Sequence, residues 1–380
     1  MIKKRSIFEE VETVEKVAPV TGVIDAGKRG ARKGIRLWLI ILFALVALMI
    51  HVGGLTRLTD SGLSITEWKP VTGAMPPISE AAWQSEFDKY REIPEYKLQN
   101  QGMSLAEFQF IYWWEWGHRQ LGRVVGLVWA IGFFGFLLTR NVPTGWTGRL
   151  LGIGVLGGIQ GAVGWWMVSS GLTGKMLDVA SYRLATHLGL AFIILGFIAW
   201  FVFDLKCEER QLIQCRRHRE MRLYTLTTWL TALAFVQILL GALVAGIDAG
   251  RTYTDWPLMS GSFIPPFPFD LDPIWRNFFE NAGLVQFMHR MAGYALLIFG
   301  LILWRTSRRS PNSGTRGAFT VVLAMMTLQM LLGIFTVLYG APLEIAIIHQ
   351  VGAVALWVII LRARFYVGYP APDTLRGAAS

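Results

Sequence analysis

The chain has 380 residues, 53% of them hydrophobic and only 16% charged, with 16 Trp, 23 Phe and a formal net charge of +10. That balance excludes a soluble globule and is the composition of an integral membrane protein. With two cysteines in all, Cys207 and Cys215, it also excludes a disulfide-stapled scaffold.

Runs of roughly 18 or more apolar residues can cross about 30 Å of hydrocarbon, and eight are expected here. Residues 1–36 precede the first; they are polar, mixed in charge and expected to be a poorly ordered tail. A cleaved signal peptide is not expected, because the charged N-region is long and no A-x-A site follows the first apolar run. The spans are then placed at 37–55, 112–138, 149–168 and 183–203 in the first half, and at 226–247, 284–304, 317–339 and 343–361 in the second. Between them lie a long loop 56–111, a linker 204–225 and a second long loop 248–283, with a tail at 362–380.

Lys and Arg concentrate in the tail 1–36, the linker, the segment 305–316 and the C-terminal tail, whereas both long loops are acidic on balance. Cytoplasmic flanks carry such an excess, so both termini are expected in the cytoplasm and both long loops outside. The net charge is thereby explained without any nucleic-acid surface. Cys207 and Cys215 fall in the cytoplasmic linker, where a disulfide is not expected, and their spacing with His218 fits no common zinc pattern.

The halves resemble each other. GGLTRLTDSGLSITEWKP from Gly53 and GALVAGIDAGRTYTDWP from Gly241 align at an offset of 188, and each segment runs on to a Pro-Pro pair. HRQLG at His118 matches HRMAG at His289, and THLG at His187 matches HQVG at His349. The expected architecture is all-α, eight transmembrane helices as two pseudo-symmetric four-helix bundles, 37–203 and 226–361, about an axis along the membrane normal.

This topology puts His51, His118, His187, His289 and His349 near the outer leaflet. One intramembrane histidine is often just a helix-to-helix hydrogen bonder. Four at equivalent places in two repeats point to a site, since ionisable groups inside a membrane are costly. Two facing histidines per bundle can supply the axial ligands of a haem, whereas zinc usually needs more ligands per site. Gly122 and Gly293, four residues past their histidines, leave room for a macrocycle. Arg119 and Arg290 are candidate partners for propionates, with Arg183 a weaker one; interfacial snorkelling is the plain alternative for these arginines. The halves differ in two places: Glu115 aligns with Gln286, and His51 with Leu239. A carboxylate three residues before His118 shares its helix face, which suggests chemistry in the first half and redox support in the second, although Glu115 could instead simply pair with Arg119. Trp68, Trp83, Trp256 and Trp275 read as interface belt and lid packing over the site mouths.

The E-x-x-H-R motif at Glu115 to Arg119, the stretch HVGGLTRLTDSGLSITEWKPVTGAMPP at 51–77 and His187, His289 and His349 resemble the haem A synthase family, in its proteobacterial and mitochondrial branch, over about residues 35–365. The resemblance implies oxidation of the C8 methyl of haem O to a formyl group through a hydroxymethyl stage. It implies that His118 and His187 hold the substrate haem O, that His289 and His349 ligate a haem b, and that Glu115 is the acid-base or cation-stabilising residue. It further implies the bacterial inner membrane, a membrane electron partner, and by pathway the farnesyltransferase that makes haem O. Some members carry cysteine pairs in the outer loops and this chain has none there, so a mechanism needing those thiols does not carry over. The role of His51 (ligand, proton carrier or helix tie) and the oligomeric state, homo-oligomer included, stay open. Two rivals stay open as well: a di-haem b electron-transfer cytochrome, and a non-enzymatic haem carrier or assembly factor.

Overall fold

In the computed structural model, residues 23–174 and 177–370 are described. The helices in chain order are α1 (Val23–Leu58), α2 (Glu80–Arg91), α3 (Pro94–Leu98), α4 (Leu105–Leu138), α5 (Thr147–Val168), α6 (Ser181–Lys206), α7 (Glu209–Arg217), α8 (Met221–Gly246), α9 (Asn277–Glu280), α10 (Ala282–Ser307), α11 (Ser313–Leu338) and α12 (Leu343–Gly368). Eight of these, α1, α4, α5, α6, α8, α10, α11 and α12, are long and apolar enough to cross a membrane, and they correspond one for one to the expected spans.

Two helices begin furthest ahead of their expected spans. The first starts at Val23, within the stretch expected to be a tail, and two of its arginines have a task. Arg32 donates to the carbonyls of Asp204 and Cys207, and Arg36 to that of Val202, so the N-terminal turns of α1 cap the C-terminal end of α6. Residues 1–22 lie outside the described residues. The second, α4, starts at Leu105, seven residues ahead of its apolar run, on a capping box in which Ser104 and Glu107 bond each other's backbone N–H. At 34 residues it is about 51 Å long, far more than ~30 Å of hydrocarbon needs.

α6 is the most enclosed span and packs against α1, α5, α8 and α12, so one apolar core runs through both halves. Lipid is as apolar as leucine, and helices in it associate through close approach and hydrogen bonds. Indoles facing glycines do both here. Trp38 of α1 donates to the Val128 carbonyl over Gly132, Trp129 of α4 to Leu150 over Gly154, and Trp357 of α12 to Phe192 over Gly196. Across the halves, Gln350 of α12 donates to the Ile50 carbonyl at 2.8 Å, and a Cβ on Gly54 would overlap its amide.

The first long loop is a folded lid rather than a strand of irregular chain. α2 and α3 bury Phe87, Tyr90 and Ile93 against Leu63, Phe108 and Tyr112, forming a small core of their own at the head of α4. Trp68 stacks on Trp165 of α5 at 5.9 Å, and Trp83 meets Tyr112 and Trp113 edge-on. In the second loop Asn277 bonds Leu271 on both backbone atoms, and Trp256 donates to the Tyr294 hydroxyl. Trp68, Trp83 and Trp256 thus pack within or beside their loops, while Trp275 meets Phe279 edge-on and stays 57% exposed.

One guanidinium gathers three chain segments at this end. Arg57, near the end of α1, reaches Asp60 at 2.8 Å, Asp178 before α6 at 3.3 Å and Asp248 after α8 at 2.7 Å, with its side chain 11% exposed. Asp60 and Asp248, matched by the repeat, both have positive φ, 48° and 50°, just beyond their helices, where aspartate is one of the few side chains that tolerate the left-handed region.

Candidate functional site

His118 lies on α4, His187 on α6, His289 on α10 and His349 on α12. Each ring lies against a glycine of the preceding spanning helix. A Cβ on Gly53 would come 2.9 Å from Cε1 of His118, on Gly164 2.9 Å from that of His187, on Gly241 3.1 Å from that of His289, and on Gly333 3.2 Å from that of His349. Gly53 and Gly241 are repeat partners, as are Gly164 and Gly333. The glycines therefore fix where each imidazole can lie, because any larger residue would push the ring off its place. His118 and His187 are within electrostatic range of each other, as are His289 and His349.

Glutamines tie three of the four histidine turns to neighbouring helices. Gln160 of α5 donates to the His187 carbonyl at 3.0 Å, Gln237 of α8 to that of His289 at 3.1 Å, and Gln329 of α11 to that of His349 at 2.5 Å. The fourth place, the repeat counterpart of Gln237, is Met49, whose terminal methyl lies against Gly122. Gly293 faces the Gln237 amide in the same way, so the room expected beside these two glycines is filled by the ends of flexible side chains.

Glu115 is buried and fully engaged. Oε1 accepts from Arg119 Nε at 3.0 Å and Nη2 at 2.6 Å; Oε2 accepts from the Ser64 hydroxyl and the Ile65 N–H, both at 2.7 Å. Arg119 reaches on to the carbonyls of Ile65 and Glu67, so the Glu115–Arg119 pair clamps the first lid. In the second half Arg290 donates to the carbonyls of Tyr253 and Leu258, and Gln286 to Tyr253, the repeat counterpart of Ile65. Both arginines expected at propionates are thus lid ties here, though Arg290 keeps a buried, unpartnered Nε. Arg183 donates to the Trp166 carbonyl at 2.6 Å and lies over the Trp166 ring, closing the C-terminal end of α5. His51, on α1 two residues before Gly53, has a buried, unpartnered Nδ1.

The donor set fits a porphyrin iron better than a bare metal ion. Nδ1 of His118, His289 and His349 is buried without a partner, and so are the amide oxygens of Gln160, Gln237 and Gln329, the glutamines that tie the histidine turns. Buried polar atoms are seldom left so, and these six lie on the histidines and on the glutamines bonded to them. Among the described residues no group of three or more His, Cys, Asp and Glu is placed to hold a metal, and Cys207 and Cys215 are free. Two histidines facing each other across a bundle can supply both axial ligands of a haem iron.

The model of a family described as cytochrome oxidase assembly protein matches residues 36–361. The chain is 66% identical over 383 residues to the haem A synthase of Dinoroseobacter shibae, with both chains covered in full. The chain belongs to the haem A synthase family. It is 62% identical to the haem A synthase of Ruegeria sp. (strain TM1040), covering 99% of this chain and 100% of that one, and 59% identical to that of Paracoccus denitrificans, covering 98% and 99%. Membership and the eight spans make it a multi-pass protein of the bacterial inner membrane. Sequence reasoning passed over the glycines behind the rings, the three glutamines, Met49, Ser64 and Arg57. The repeat already held part of this: Gly53 and Gly241 open its alignment, and Gln237 faces Met49 across it.

Proposed function

We propose that the chain makes haem A by oxidising the C8 methyl of haem O to a formyl group through a hydroxymethyl stage. In this reading His118 and His187 hold the substrate haem O in 37–203, and His289 and His349 hold a haem b in 226–361. The observation that carries it is the pair of glycine-backed histidine sites with a buried carboxylate at only one of them. A methyl-to-formyl change is a four-electron oxidation that releases protons, and Glu115 is the acid-base group of the first site, placed to take a proton or to stabilise positive charge as the carbon is oxidised. Arg119 keeps the carboxylate oriented and, with the lid, keeps water from it. Haem b would supply one-electron transfer to a membrane electron partner. The positive-inside distribution supports both termini in the cytoplasm and, with them, both sites at the periplasmic face, where haem O made by the farnesyltransferase is received.

Two variants test the assignment. Glu115→Gln retains bound haem and yields no formyl product, while His289→Ala loses the resident haem b. Normal haem A yield from the glutamine variant would remove Glu115 from the chemistry.

A further inference from the structure

A carboxylate has about four lone-pair sites, and all four of Glu115 are taken: two by Arg119, one by the Ile65 N–H and one by the Ser64 hydroxyl. Once protonated, Glu115 needs an acceptor for its own O–H. The guanidinium and the amide can only donate. Tyr112 of α4 and Glu95 of α3 also face this carboxylate electrostatically, but its bonded partners are those three residues. Ser64 differs from the other two partners. Its hydroxyl both donates and accepts, it is 2% exposed, and it has alternative acceptors in the Ser61 carbonyl at 3.2 Å and the Ile111 carbonyl at 3.4 Å.

We infer that Ser64 is a positioning residue that lets Glu115 change protonation state beneath the closed lid. With Glu115 ionised, Ser64 donates to Oε2. When Oε2 takes a proton released from the substrate, the Ser64 O–H turns to the Ser61 carbonyl and its Oγ accepts the new Glu115 O–H. One proton moves, no bond to Ser64 forms or breaks, and every polar group stays paired in both states. The counterpart in the second half, Thr252, stands before Tyr253, whose carbonyl takes donors from Gln286 and Arg290; with an amide at 286 there is no proton to accommodate. The lid thus completes the acid-base group, and catalysis depends on the 61–65 turn being seated.

This inference rests on the reading of Glu115 as the acid-base residue, and the test separates the two. Haem O oxidation is measured in membranes for Ser64→Ala, Ser64→Thr and Glu115→Gln, together with haem content. An unpaired buried hydroxyl in the protonated state predicts that Ser64→Ala lowers kcat about 10- to 100-fold, with KM for haem O and haem content within about twofold, while Ser64→Thr stays within about threefold of the parent. An unchanged kcat in Ser64→Ala beside an inactive Glu115→Gln overturns the inference alone. Full activity in Glu115→Gln overturns the reading beneath it. Loss of haem in Ser64→Ala, or a threonine variant as slow as alanine, would make Ser64 a packing residue and also overturn it.

Discussion

Replacing Gly164 with alanine isolates what the glycines behind the histidines do. The added methyl would stand 2.9 Å from Cε1, 3.4 Å from Nδ1 and 3.7 Å from Nε2 of His187, so the ring must retreat by about half an ångström or more to reach ordinary contact. It cannot do so freely, because Gln160, one turn earlier on α5, ties the His187 turn through its carbonyl. Overpacking of this kind costs about 1–3 kcal/mol, and if the cost falls on the ligand-bound arrangement it weakens haem O binding roughly 5- to 150-fold. Gly161→Ala on the same helix is the control: nothing lies within 4 Å of its Cβ, so it should bind like the parent. The assay is haem O content of each purified variant after co-production with a haem O source, normalised to protein, with a melting curve to confirm the fold. Equal haem O in both variants would refute the claim that the glycine fixes the imidazole.

Two other expectations concern the lids and the junction. Arg57→Ala leaves Asp178 and Asp248 without their shared cation; because both carboxylates are partly exposed, at 40% and 37%, the loss is held to about 2 kcal/mol, read as a lowered unfolding midpoint in detergent. An unchanged midpoint would show that the junction does not hold the halves together. In the first lid, burial first, then the Asp178 carboxylate, pushes Glu95 from its usual 4.5 up to about 8. A carboxyl raised on folding binds its proton more tightly folded than unfolded, so its contribution is complete below pH 4.5 and is lost as pH rises through about 8, on the order of a few kcal/mol. Amides of 87–98, corrected for intrinsic rate, should exchange faster at pH 9 than at pH 6, and Glu95→Gln should remove that dependence; a flat parent profile would contradict it.

The eight spans were legible because hydropathy is a long, one-dimensional signal, and the histidines because the repeat set each beside its twin. The start of α1 was not: Arg32 and Arg36 read as part of a polar tail until the carbonyls of Val202, Asp204 and Cys207 are known to accept from them. The folded first lid was hidden for a related reason, since Phe87, Tyr90 and Ile93 are too few to register as a core until Leu63 and Phe108 are brought to them. At the site, Glu115 was found from its asymmetry with Gln286. Its pairing with Arg119, one turn on, was open to the sequence and is present; Ser64 and Ile65 were not found, because they are about fifty residues away and no periodicity connects a turn with the helix it closes on. Arg119 and Arg290 were read as candidates for propionates, with interfacial snorkelling the alternative, whereas both reach back to loop carbonyls at repeat-equivalent positions, Ile65 and Tyr253.

If the two histidine pairs serve two different porphyrins, one as substrate and one as resident cofactor, the purified protein carries both. Extraction of its non-covalent haems into acid acetone, followed by chromatography and mass measurement, identifies them. Haem B is expected together with haem O, its hydroxymethyl derivative or haem A, and the haem B fraction is expected to be lost in His289→Ala. Haem B alone, even with a haem O source co-produced, would contradict this assignment and leave a di-haem electron-transfer cytochrome.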